Sequence, residues 1–149
     1  MQAAIHLDKV TKTYKGKTAV DGLSLTVDKG TVLALLGPNG AGKTTTISMI
    51  LGLQRPTSGT VRLLGEDPRS MKVRDRIGAM LQEVSVIDNL KVSETIDLFR
   101  SYFSRPLPLE QLLLISGLQD EKNKRATALS GGQQRRLGFA LAAAGDPEV

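Results

Sequence analysis

Apolar and polar positions alternate at Ile5, Leu7 and Val10, and again at Leu23, Leu25 and Val27, which predicts two half-buried strands. The run TVLALL, Thr31 to Leu36, is continuously apolar with a glycine on each side. It predicts a strand buried on both faces, as in a parallel sheet beneath helices. It leads into GPNGAGKTTT and then into Ile47, Ile50, Leu51 and Leu53, spaced as on a helix. The local order is therefore strand, glycine-rich loop, helix. Turn chemistry in Arg55-Pro-Thr-Ser precedes a strand from Gly59 to Leu64. A short helix is expected over Met71 to Arg76 and a strand over Ile77 to Leu81. From Val92 to Gly117 the period is helical, and Pro106 and Pro108 split the stretch in two. Ser130 can N-cap a last helix through Ala144, closed by Gly145 and Pro147. The fold class is α/β.

Composition narrows the chemistry. The 149 residues contain no cysteine and a single histidine, His6, so disulfides, thiolate metal sites and a Cys–His dyad are excluded. His6 reads as a strand residue without a chemical role. Net charge is +5, but the basic residues are scattered, aromatics make up 3% and tryptophan is missing. With no stacking platform for bases, nucleic acid is not the expected partner. A phosphate-bearing small molecule or an acidic lipid surface explains the charge as well. No apolar run approaches the roughly 20 residues of a membrane span, and no secretory leader is visible.

The sharpest signal is Gly37-Pro38-Asn39-Gly40-Ala41-Gly42-Lys43-Thr44, which fits G-x-x-x-x-G-K-[ST]. Glycines let successive backbone N–H groups point into one concavity, and the following helix adds its N-terminal partial charge. Lys43 is placed to neutralise β- and γ-phosphate oxygens. The Thr44 hydroxyl suits Mg²⁺, and Thr45 can support the α-phosphate. Far downstream lies Leu129-Ser130-Gly131-Gly132-Gln133. It offers a second anion-accepting helix start that could face another nucleotide; an ordinary Ser-Gly-Gly cap is the alternative.

Together these motifs resemble the nucleotide-binding domain of ATP-binding cassette (ABC) transporters over essentially the whole chain. Gly37 to Thr44 matches that family's Walker A loop, and Leu129 to Gln133 matches its LSGGQ signature. The resemblance implies further roles. Tyr14 would stack on adenine and Val20 would pack on the same base. Gln82 would be the Q-loop glutamine, touching Mg²⁺ and the attacking water. Taken alone, Tyr14 reads equally as a strand aromatic and Gln82 as a surface glutamine. Arg135 and Arg136 read as a solvated helix face. GPNGAGKTTT and the Arg55-to-Thr60 turn are similar to the bacterial drug and antibiotic exporter subgroup.

The fold so implied is the P-loop core of an ABC ATPase, with an N-terminal antiparallel β part and an α-helical subdomain. Residues 1–81 would form the ATP-binding β and α/β core, 82–130 the Q-loop and helical subdomain, and 130–149 the signature helix. The expected ligands are ATP and Mg²⁺. The expected partners are a transmembrane subunit, contacted from Gln82 through Phe103, and a second such domain in a nucleotide sandwich. The expected place is the cytoplasmic face of the cell membrane. One family feature is missing from the sequence: an apolar strand ending in Asp-Glu after the signature, the Walker B carboxylates. Asp120-Glu121 precedes LSGGQ and follows a helical pattern, so it is not that motif. His6 stands at the wrong end to be the family's switch histidine. The expectation is a C-terminally truncated domain that binds ATP but hydrolyses it weakly. The other readings are a soluble ABC ATPase of translation or DNA repair, and a non-catalytic remnant.

Overall fold

The structure, a computed structural model, describes residues 3–80 and 87–149. The chain comprises two compact units, Met1–Arg74 and Asp75–Val149.

In the first unit the described residues form one antiparallel sheet in the order β2-β1-β3, with β1 at Ala3–Tyr14, β2 at Lys17–Asp28 and β3 at Ser58–Leu63. Lys15 and Gly16 both take positive φ (44° and 83°), the two-residue turn whose twist matches a hairpin. Leu7 and Val10 are both fully buried although they stand three residues apart. A bulge resets the pleat between them: Lys9 has φ 46° and its N–H donates to Ser24 Oγ at 2.9 Å. Helix α1, Lys43–Ile50, lies against β2 and β3 and buries Thr46, Met49 and Ile50. The short helix α2 spans Met71–Arg74 and buries Val73.

Two expected strands do not form. Thr31–Leu36 has no regular structure, and every residue from 31 to 40 is exposed. Val32 and Leu36 are almost wholly in solvent, at 101% and 90% exposure. An apolar run reports an affinity for burial; a strand also needs a hydrogen-bonded neighbour, and none of the described residues supplies one. Residues 77–80 of the expected Ile77–Leu81 strand likewise lack a ladder. Their neighbourhood makes two isolated backbone bonds instead, Gly78 N–H to Val149 O and Glu148 N–H to Arg76 O, both 2.8 Å.

The second unit is helical. The prolines separate α3, Val92–Arg100, from α4, Leu109–Ser116, as the sequence predicts. Gly117 ends α4 in the left-handed conformation, φ 65°. A 3₁₀ turn at Ala126–Ala128 precedes α5, Gly131–Ala143. The three helices share one core around Val92, Ile96, Leu112, Leu113, Leu137 and Ala140.

Candidate functional site

The glycine-rich loop ends on α1, with Lys43 as its first residue and Gly42 as its N-cap at φ 82°, ψ 5°. A side chain at Gly42 would meet backbone: an added Cβ would stand 2.4 Å from Ala19 O and 3.0 Å from Val20 Cγ2. The loop is thereby seated directly on β2, with the buried Val20 beneath it. Glycine has no side chain to cap with, and among the described residues no side chain accepts from the first turn of α1. Those N–H groups are left for an external acceptor. The Lys43 ammonium folds back onto the loop, donating to Gly37 O at 2.6 Å and Pro38 O at 2.8 Å. Ala41 N–H closes the turn onto Pro38 O at 3.2 Å. Asn39, Gly40 and Thr44 are exposed, and Thr45 is half-buried.

Tyr14 closes β1 and is 41% exposed. Its hydroxyl donates to Gln54 Oε1, and the Lys12 ammonium sits over the ring, 5.1 Å from its centroid. Neither partner was legible in the sequence: Gln54 is 40 residues away along the chain.

The signature lies in the second unit. Ser130 N-caps α5 in a reciprocal box, its Oγ accepting from Gln133 N–H at 3.3 Å and its own N–H donating to Gln133 Oε1 at 2.9 Å. Gln133 Nε2 then donates to Glu121 Oε1 at 3.0 Å. Glu121 thus holds the glutamine of the Leu129–Gln133 string. Gly131 and Gly132 are exposed. Gln82 lies outside the described residues.

Two carboxylates titrate low for local reasons. The Arg69 guanidinium hydrogen-bonds Asp67 and holds its carboxyl at about 2; the Ser104 hydroxyl lowers Asp75. A cleft of about 330 Å³ lies near the first of these, lined by Met49, Gln54, Arg55, Arg62 and Asp67. None of residues 37–45 lines it, so it is not the phosphate site.

The sequence profile of the ABC transporter family matches residues 20–149. The chain belongs to that family. It is 43% identical to "Nod factor export ATP-binding protein I" of Paraburkholderia xenovorans, over 99% of this chain and 51% of that protein. It is 35% identical to "Methionine import ATP-binding protein MetN" of Bifidobacterium longum, over 97% of this chain and 41% of that protein. Among solved structures, the ATP-binding cassette MJ0796 in a dimeric post-hydrolysis state, bound to ADP and Pi, superposes with a TM-score of 0.81 at 28% identity. That match covers 96% of this chain and 70% of the other. A structure described as the ATP binding subunit of an ABC transporter matches in fold, with a TM-score of 0.84 at 23% identity, over 97% of this chain and 63% of that one. The chain thus has the ABC ATPase fold and spans about half the length of the curated relatives it matches.

Proposed function

We propose that this chain binds ATP at the Gly37–Thr45 loop and forms the nucleotide-binding part of an ABC transporter that couples ATP binding and hydrolysis to export. One observation carries the reading. The uncapped start of α1 sits beside a lysine that donates to carbonyls of its own loop, those of Gly37 and Pro38. Triphosphate entering the loop would take the free N–H groups as donors. Lys43 would exchange the carbonyls of Gly37 and Pro38 for phosphate oxygens, a stronger charge-assisted interaction. Tyr14 would carry the base and Val20 would support it.

Mg²⁺ fits this donor set only together with the nucleotide. Among the described residues no cluster of three His, Asp or Glu side chains could cage a metal. The exposed Thr44 hydroxyl at the head of α1 offers one hard oxygen, and a cation of this kind takes the rest from phosphates and water. Gln82 would join it. Bound Mg²⁺ would neutralise developing charge on the transferred phosphoryl group.

Export is favoured over import by the 43% identity to an export subunit, and the likeness of the GPNGAGKTTT string and the Arg55–Thr60 turn to drug and antibiotic exporters supports that direction. In the same reading Ser130 to Gln133 face the nucleotide of a second copy, as the dimeric MJ0796 cassette encourages. The functional division is 1–81, 82–130 and 130–149. No helix among the described residues is long and apolar enough to cross a membrane. In the family reading a transmembrane subunit would hold the protein at the inner face of the cell membrane. Hydrolysis by these 149 residues would be weak, since their sequence shows no strand ending in Asp-Glu after the signature. Titration with a fluorescent ATP analogue tests the core of the proposal: equal affinity in wild type and Lys43→Ala would remove it.

A further inference from the structure

We infer that Gln54 and Lys12 are positioning residues for the base, acting through Tyr14; the inference rests on the proposed stacking of adenine on that ring. An exposed tyrosine at a strand end would ordinarily sample several rotamers, and each would have to be given up on binding. Here both ends of the ring are held. Gln54 accepts from the hydroxyl. Lys12 lies over one face, with its ammonium fixed by Arg55 O at 2.6 Å. A base can then stack only on the opposite face, and the cation behind the ring polarises it toward an electron-rich partner.

The two holding residues are themselves anchored. Thr57 N–H donates to Thr11 O at 2.8 Å, and Thr13 N–H to Thr57 Oγ1 at 3.0 Å, which pins the 54–57 segment along β1. Gln54 N–H and Leu53 N–H both donate to Ser48 O in α1, at 3.2 and 2.9 Å. The helix that begins with Lys43 therefore ends in the segment that clamps Tyr14. Phosphate loop and aromatic are set at a fixed spacing by one rigid element.

The test compares ATP with inorganic tripolyphosphate, which has no base, in titrations of the full chain. Gln54→Leu is expected to weaken ATP about three- to tenfold, the range of one lost hydrogen bond, and to leave tripolyphosphate unchanged. Gln54→Glu, which keeps an acceptor oxygen, should restore ATP affinity. Lys12→Met should weaken ATP about twofold or more without moving tripolyphosphate. Unchanged ATP affinity in Gln54→Leu, or equal losses for both ligands, would overturn the inference. Tyr14→Ala separates the two levels. If it weakens ATP while Gln54→Leu does not, the positioning role fails and base stacking stands. If it leaves ATP untouched, the stacking reading falls and takes the inference with it.

Discussion

Helices α1 and α5 both start at a glycine-bearing turn that the sequence marks as an anion site, and they treat their first turns in opposite ways. At α5 two N–H groups are met from within, those of Ser130 and Gln133, whose side chains cap each other while Glu121 holds Gln133. At α1 no side chain caps, and the nearest charged group, Lys43, is turned onto the loop's carbonyls. The difference separates two kinds of helix start, both of which the proposed function would turn toward phosphate. An open one is built to take a ligand into its first turn. A closed one keeps its shape unaided and presents exposed glycines beside a hydroxyl.

The glycines sharpen the contrast most. At Gly42 the φ of 82° and the 2.4 Å approach to Ala19 O both forbid a side chain. Gly42→Ala should destabilise the first unit by about 2–4 kcal/mol through left-handed strain and overpacking, read from denaturant unfolding. A loss under 1 kcal/mol would mean that the loop does not need its seat on β2.

Next in size is the lysine. Lys43→Ala should weaken ATP at least about tenfold, since a charge-assisted contact is worth roughly 1.5–3 kcal/mol. The bonds of the α5 cap run among Ser130, Gln133 and Glu121, so a probe of the second unit's unfolding should not move. A coupled shift in both would break the distinction between the termini.

What was legible beforehand follows the same line. Local chemistry could be read: the loop at Gly37 to Thr44, the Ser130 cap and the prolines between α3 and α4 each carry their cause within a few residues. Partnership could not. Thr31–Leu36 has the composition of a central strand, yet a strand is defined by a neighbour that the run itself cannot specify. The bulge at Lys9 and the Tyr14–Gln54 bond depend on register between distant segments, and one shifted residue would dissolve both. Glu121 was visible as half of an acidic pair. Its contact with Gln133 depends on how the stretch after α4 folds back on α5.

Ser130→Ala tests the closed terminus. It removes one acceptor of the reciprocal box and should cost the second unit about 1 kcal/mol. ATP affinity of the isolated chain should stay at the wild-type value, because the proposed ATP site is at α1. A Ser130→Ala chain that unfolds like wild type would show that Gln133 and Glu121 maintain the helix start without the serine.

The smallest effect has the opposite sign. Among the described residues nothing lies within 4 Å of the position a Cβ would take at Gly131 or Gly132, and neither has a φ that demands glycine. Inside a helix a glycine is less favourable than alanine by roughly 0.5–1 kcal/mol, and somewhat less in the first turn. Folding alone therefore gives no reason for either residue. Gly131→Ala should raise the stability of the second unit by about 0.5 kcal/mol, measured by urea denaturation. The same methyl would project into the space that the proposed second nucleotide must enter to reach the Ser130 hydroxyl. ATP-dependent self-association, followed by sedimentation, should then fall while ATP binding to the single chain is unchanged. A Gly131→Ala chain that is less stable than wild type would show that the glycine serves the fold. One that is more stable and still associates with ATP would show that the closed terminus faces no ligand.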